Sequence, residues 1–401
     1  MTSSNLVPLE DALSLLNEYI QPLSRAEVLP LGELTGRVLA RNIYAQHSTP
    51  PFNRAAMDGY AVVSSDTKNA SPETPIILTV IEEVFAGKVP QRTIHKSQAS
   101  QISTGARIPE GADAVIMVEN TSREGGNIKV LQPVHGGQHI TLAGSDIKNG
   151  EMLLAEGTFL SPARIGALAS QGLSEVKVYA KPKVAIIPTG EEIVALGQTL
   201  LDGQIYDINT HCLMATIQQN GGEASPLPIT GDNLEKLRGS LEQALFADLI
   251  ITTGGSSVGA KDYLGELLEQ MGTIKYHGIR IKPGKPSAFA IVRGKPVLGL
   301  PGYPTSCLIN SYLLLVPVLR KMSHLPPSDE KKIIATLAEK TQGTEGRTTL
   351  LPVKILDGKI FSTFKNSGAI TSTSQADGYI VVPQEVELPA GQQVEVTIFA
   401  S

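Results

Sequence analysis

Five glycine- or proline-rich stretches hold most of the residues able to do chemistry: PTGEE (188–192), GQIYDIN (203–209), TTGGSSVGAKD (252–262), KPGKP (282–286) and LPGYPTS (300–306). Glycine lets backbone N–H groups approach an oxyanion, Ser and Thr hydroxyls add donors, and Lys282 and Lys285 add positive charge, a set suited to phosphate or another oxoanion. No G-K-[ST] closes the longest stretch, so it is not a Walker A loop. Any one of them alone reads as a tight turn. Five at successive strand ends read as the lining of a cleft, with Thr189, Gly254, Gly255, Pro301 and Pro304 as candidate lining residues.

Glu191, Glu192, Asp207, Asp232 and Asp262 lie in or beside these loops. Carboxylates next to a phosphate loop commonly hold Mg2+, which takes one or two of them together with waters and phosphate oxygens. Taken singly, Asp232 reads as a helix N-cap and Glu191 as a solvated charge, whereas Asp207 and Asp262 are better placed as ligands. In PPFNRAAMDGYAV (50–62), Asp58-Gly59 could equally be a hairpin turn between apolar flanks. The seven histidines are scattered, and His135 and His139 fall in a glycine-rich loop and read as surface residues. Cys212 and Cys307 fall in expected helices, where a small buried hydrophobe is the default, and no Cys-His pair or G-x-S-x-G elbow is visible.

The loops need strands and helices to hold them. Residues 184–187, 248–252 and 297–300 are short apolar runs expected as buried strands, with a further strand near 279–281. Helices are expected over 210–219, 232–246 and 263–271 and after Pro304. This alternation predicts a parallel α/β sheet covered on both faces. Leu9, Ala12, Leu13, Leu15, Leu16 and Ile20 mark a first helix stopped by Pro22. Brief β-like runs at 76–81, 114–118 and 128–130 form a small β-module. A helical pattern at 162–171 is expected to pack back on the first helix, making that module an insertion. Runs at 349–355, 379–382 and 393–399, with a turn at Asp357-Gly358, predict a C-terminal β-domain. The division is therefore 1–48 with 140–180, 49–139, 181–326 and 327–401.

Composition narrows the class. The 401 residues, 41% hydrophobic and 18% charged, exclude a disordered chain. Lys plus Arg number 34 against 39 acids, a net charge of -5 without basic runs, which argues against broad nucleic-acid binding. Two cysteines without a C-x-x-C provide neither a disulfide framework nor a structural zinc site and fit a reducing compartment. The start of the chain lacks the basic-then-apolar pattern of a secretory signal, and the apolar stretch 312–319 is too short to span a membrane. A cytoplasmic, soluble protein is expected.

The strings AMDGYAV (56–62), STGARIPEGADAV (103–115), GSD (144–146), PTGEEI (188–193), GQIYDIN (203–209), TTGGSSVGAKDY (252–263), IKPGKPSAF (281–289) and LGLPGYPTS (298–306) together resemble the molybdopterin molybdotransferase family, which includes bacterial MoeA and the E domain of gephyrin. The resemblance implies an elongated first domain, an inserted β-module, an α/β domain like that of molybdopterin adenylyltransferases and a C-terminal β-barrel-like domain. It implies that adenylylated molybdopterin and molybdate react, with Mg2+, to give molybdenum cofactor, AMP and water. Carried over by motif, Asp58, Thr104, Asp146, Glu192, Asp232 and Asp262 match acidic or polar functional positions, with Asp262 and Asp232 as the candidate Mg2+ ligands. Ser257, Lys282, Lys285, Ser306, Arg347 and Ser367 match oxoanion- or substrate-binding positions. The family's homodimer, with its cleft between one subunit's α/β domain and the other's β-module, would make Asp58 and Thr104 act in trans. A molybdopterin adenylyltransferase and cofactor-receiving proteins are the further candidate partners. Where relatives carry basic residues, this chain has Thr141-Leu142-Ala143, Gly278 and Pro352. The alternative to an active transferase is a diverged pterin- or nucleotide-binding scaffold.

Overall fold

A computed structural model describes residues 6–231, 233–254 and 263–399. Two compact units divide them: Leu29–Thr35 with Leu39–Val176, and Met1–Val28, Gly36–Val38 and Lys177–Ser401.

The first of these units is built on six strands, β1 (Gly59–Val62), β2 (Ile76–Val84), β3 (Gln98–Ile102), β4 (Ala114–Met117), β5 (Thr121–Glu124) and β6 (Asn127–Val130). Their order is β4-β1-β3-β2-β6-β5, with only β2 and β3 parallel. Tyr60, Val62, Leu78, Ile116 and Ile128 form its core. The sequence QASQI of β3 lacks the apolar run that marks a strand; pairing on both sides makes it one, and buries Ser100 completely.

The second unit holds the α/β sheet. Its elements are β7 (Lys183–Pro188), α1 (Asn209–Gln219), β8 (Glu223–Pro226), α2 (Leu234–Gln243), β9 (Leu249–Thr253), α3 (Tyr263–Met271), β10 (Gly272–His277), β11 (Ala288–Val292), β12 (Lys295–Leu300) and α4 (Pro304–Asn310). The strand order is β8-β7-β9-β12-β11-β10. The first four strands run parallel, and β11 and β10 turn one edge antiparallel. Val184, Ile186 and Ile251 face one apolar cluster with Ile217 and Leu319, while Ala185, Ile187 and Ile250 face another with Leu237 and Leu267, so both faces are covered.

Three expectations need correction. The helix Leu9–Tyr19 takes its burial from the α/β sheet, with Ala12 and Leu16 in the same cluster as Val184, whereas Pro162–Ser170 lies in the other unit. The cap of α2 is Asn233, whose side-chain oxygen accepts the N–H groups of Glu235 and Lys236 at 2.9 and 3.3 Å. The apolar run near 279–281 divides: β10 ends at His277, Gly278 turns the chain at φ +98°, and Ile281–Lys282 forms a separate short strand.

The C-terminal strands are β13 (Lys332–Leu337), β14 (Thr348–Leu356), β15 (Lys359–Ser362), β16 (Gly378–Val382) and β17 (Gln393–Ile398). They pair in the ring β14-β15-β13-β17-β16, which closes because β16 also pairs β14, giving a small barrel without free edges. Asp357 and Gly358, at φ 50° and 72°, make the two-residue turn between β14 and β15. The strand Ile281–Lys282 adds in parallel to β14. No helix among the described residues is long and apolar enough to cross a membrane.

Candidate active site

Strands β7, β9 and β12 end level with one another, since Pro188 pairs Thr253 and Thr253 pairs Leu300. Their loops therefore leave the sheet side by side, at the carboxyl edge where open α/β sheets take ligands. The Gly254 N–H donates to the Leu300 carbonyl at 3.2 Å, and a Cβ on Gly302 would stand 3.3 Å from Gly254 Cα, so the second and third loops touch. Gly254 sits at φ +84°, a conformation glycine adopts without strain. Asn209 Nδ2 donates to the Gly302 carbonyl at 2.7 Å and ties the start of α1 to the same place.

Two candidate site residues, one read as lining and one as a ligand, make hydrogen bonds to the scaffold. The Thr189 hydroxyl donates to the Thr253 carbonyl at 2.9 Å, and Asp207, buried, accepts the Thr210 N–H at 3.1 Å in the first turn of α1. Three side-chain atoms that sequence reading missed, Thr252 Oγ1, Asn209 Oδ1 and Thr210 Oγ1, are buried here without a hydrogen-bond partner among the described residues. Buried polar groups are nearly always paired, so these atoms mark the loop end of the sheet as polar and under-satisfied. Asn209 and Thr252 lie within stretches singled out above, but nothing in their residue type separates them from ordinary turn residues.

The KPGKP loop is fixed from below. Asn310, fully buried at the end of α4, donates from Nδ2 to the Gly284 carbonyl at 2.9 Å and to Ser287 Oγ at 2.5 Å. Gly284 stands at φ +113°, where a Cβ would lie 2.2 Å from Asn310 Oδ1. Lys282 pairs Thr349 on the barrel, and the Thr348 N–H donates to the Arg280 carbonyl at 3.0 Å, bringing Arg347 beside the lysine strand. Across α4, the Thr305 N–H donates to the Ser367 carbonyl at 3.1 Å and its hydroxyl to the Ala369 carbonyl at 2.7 Å. Ser306 and Pro301 are buried, and Pro304 opens α4. Three junctions thus gather Lys282, Lys285, Ser306, Arg347 and Ser367 in one unit. None of the three cations among them forms an ion pair within the described residues. Asn310 is a further residue that sequence reading missed.

In the other unit, Asp58 directly precedes β1, which pairs on both sides, so it is not a hairpin turn. A Cβ at Gly59 would meet the Ile116 carbonyl oxygen at 1.7 Å, which explains the glycine. Asp58 Oδ1 accepts the Thr104 N–H at 2.7 Å and the Thr104 hydroxyl at 2.9 Å. The backbone donor first, then the hydroxyl, hold this exposed carboxyl below the usual carboxylate range. Asp146 is exposed on the neighbouring loop, its N–H donating to the Thr49 carbonyl at 3.1 Å. Asn53 Oδ1 accepts the Ala143 N–H at 2.9 Å and the Gly105 N–H donates to the Ala55 carbonyl at 2.8 Å, lacing the three motifs together.

Asp232, Gly255, Ser257 and Asp262 lie outside the described residues. Glu191 and Glu192 are exposed, and a Cβ on Gly231 would lie 3.7 Å from Lys236 Nζ and 3.8 Å from Glu191 Cγ, so the loop at Gly231 adjoins the PTGEE loop. No group of three metal-ligating side chains occurs among the described residues. The donor set fits Mg2+ only in its usual manner, with one or two carboxylates and the remaining ligands from water and phosphate. Burial pushes both thiols up, with Asp207 adding to the effect at Cys212, so neither cysteine is a poised nucleophile.

Residues 7–172 match the MoeA N-terminal region (domain I and II), 185–321 a probable molybdopterin binding domain, and 335–399 the MoeA C-terminal region (domain IV). The chain is 34% identical to a molybdopterin molybdenumtransferase of Nostoc sp., over 92% of this chain and 87% of that one. It is 32% identical to a putative molybdopterin biosynthesis protein of Methanocaldococcus jannaschii, over 96% and 95% of the two chains. The crystal structure of a molybdopterin biosynthesis MoeA protein from Pyrococcus horikoshii superposes with a TM-score of 0.88 at 40% identity, covering 99% of this chain and 100% of the other. With sequence, domain order and fold in agreement over nearly its whole length, the chain belongs to the MoeA family of molybdopterin molybdenumtransferases.

Proposed function

We propose that this protein is a molybdopterin molybdenumtransferase that joins molybdate to adenylylated molybdopterin, releasing AMP and water. The observation that carries this reading is the set of junctions tying the KPGKP loop to the barrel and to α4; in this reading Lys282, Lys285, Arg347, Ser306 and Ser367 converge there, and three cations that form no ion pair among the described residues would receive a dianion. The loops of β7, β9 and β12 would hold the substrate's pyrophosphate through backbone N–H groups. Asp232 and Asp262, with phosphate oxygens, would hold Mg2+, which when bound neutralises charge on the pyrophosphate. Asp58, Thr104 and Asp146 would complete the site from the partner subunit of a homodimer, and the four-part division read from the sequence is the corresponding domain plan. Glu192 would orient substrate from the loop after β7. A cytoplasmic location, supply of substrate by an adenylyltransferase and transfer of product to cofactor-receiving proteins complete this reading.

The test is AMP release from adenylylated molybdopterin with and without molybdate. Release that depends on molybdate supports the transferase. Substrate binding without release, at any molybdate concentration, would replace it with the scaffold reading.

A further inference from the structure

Arg54 and Arg107 face each other across a backbone bridge. The Ile108 N–H donates to the Asn53 carbonyl at 2.9 Å and the Ala55 N–H to the Ala106 carbonyl at 2.9 Å, so the two arginines form the non-hydrogen-bonded kind of antiparallel pair. Such a pair has Cα atoms about 4.5 Å apart and side chains on one face at their closest. On its other side Arg54 pairs Thr141, which places a hydroxyl-bearing residue on the same face. The Arg107 guanidinium lies 5.9 Å from the centre of the Phe52 ring, close enough for a cation–π contact that orients it. Both arginines are exposed, and neither forms an ion pair among the described residues. Asp58 Oδ1 accepts two hydrogen bonds from Thr104. Like charges directly opposite each other destabilise a ladder, and among the described residues no carboxylate pairs with either arginine to offset them.

We infer that Arg54 and Arg107, with Thr141 beside them, form a binding site for a phosphate group, as a free anion or as part of a small phosphorylated molecule. Two guanidinium forks on one face match the oxygens of a phosphate or diphosphate, which would remove the repulsion. The site stands on the ladder geometry alone and does not depend on the transferase reading.

The test titrates inorganic pyrophosphate into the full-length chain by calorimetry, using a Lys282→Ala/Lys285→Ala background so that the cationic loop is silent; binding to the loops of β7, β9 and β12 is common to all variants, and the binding that an arginine substitution weakens is what reads the proposed site. Binding is expected to remain in that background and to weaken roughly tenfold or more on Arg54→Ala or Arg107→Ala, the worth of a charge-assisted contact. Arg54→Lys, which keeps the charge and loses the fork, should fall between. Without anion, either alanine variant should melt at or above the background protein's temperature, because a repulsive pair has been relieved, and pyrophosphate should raise the melting temperature of the background protein most. Comparing inorganic phosphate with a nucleoside diphosphate separates the free anion from an esterified one. Pyrophosphate affinity within twofold in all variants, no binding in the background, or capture of acidic peptides in preference to phosphate would overturn the assignment.

Discussion

Replacing Asn310 with alanine removes the amide that holds the Gly284 carbonyl and Ser287 Oγ. The Ser287 Oγ acceptor, left without its donor, costs about 1–3 kcal/mol, whereas the Gly284 carbonyl keeps the Ser287 hydroxyl at 3.1 Å and loses only about 0.5–1.5 kcal/mol. The substitution also removes Asn310 Oδ1, already buried without a partner among the described residues, which returns about 1 kcal/mol. A net loss of about 1–3 kcal/mol follows. Asn310→Asp should cost more, because it turns a carboxylate oxygen toward the Gly284 carbonyl in a fully buried position. Gly284→Ala is strained for the reciprocal reason, and adding Asn310→Ala should recover part of its loss by removing the colliding amide. Because the chain has no Trp, urea unfolding is best followed by far-ultraviolet circular dichroism. Molybdate-dependent AMP release on the same samples reads the loop, and the molybdate concentration for half-maximal release should rise in Asn310→Ala. Stability within about 0.5 kcal/mol of wild type with an unchanged molybdate response would refute the idea that this amide positions the lysines.

Three further outcomes can be checked on the same protein. Lys282→Ala and Lys285→Ala should each raise half-saturating molybdate by about tenfold or more while leaving pterin affinity nearly unchanged; the reverse pattern would move these lysines to the phosphate. Thr104→Val keeps the backbone donor to Asp58 and removes the hydroxyl, so the Asp58 carboxyl should titrate higher than in wild type by nuclear magnetic resonance, and an unchanged titration would contradict the observed contacts. Because that pKa is depressed on folding, whatever stability the Asp58 contacts add is complete above the unfolded value and is lost as pH falls through the folded one. Mixing Asp58→Ala and Asp262→Ala chains under subunit exchange should restore about a quarter of wild-type activity, since half the dimers are mixed and each has one intact site; an inactive mixture despite proven exchange would place each site within one subunit.

What could be read in advance follows from periodicity. Strands β7, β9 and β12 of the α/β sheet were visible because residues buried on both faces, such as Val184–Ile187, form unbroken apolar runs, and α3 was visible from its helical spacing. Strands β3, β8, β10 and β11 escaped notice: QASQI, EASP and GTIKYH lack an unbroken apolar run and owe their strands to their neighbours, whereas AFAIV is such a run and closely follows the KPGKP turn. Asp232 was the obvious cap for α2 by residue type, but Asn233 is one position nearer the helix and its amide oxygen is an equally good acceptor. At the site, lysines and glycines announce themselves by type and spacing. Asn310 does not, because a buried amide in a helix looks like any other until the loop above it is known.

The strand Ile281–Lys282 is a member of the barrel ladder as well as the root of the lysine loop. Its partners, Thr348 and Thr349, are synthesised much later, and the barrel that fixes them closes only when β17 has emerged. During vectorial synthesis the α/β sheet can form first, while the lysine strand still lacks its neighbour. A ribosome-bound or truncated chain ending before β14 would therefore carry Lys282 on a strand without its ladder partner. Completion of the C-terminus thus finishes the lysine strand as well as the barrel.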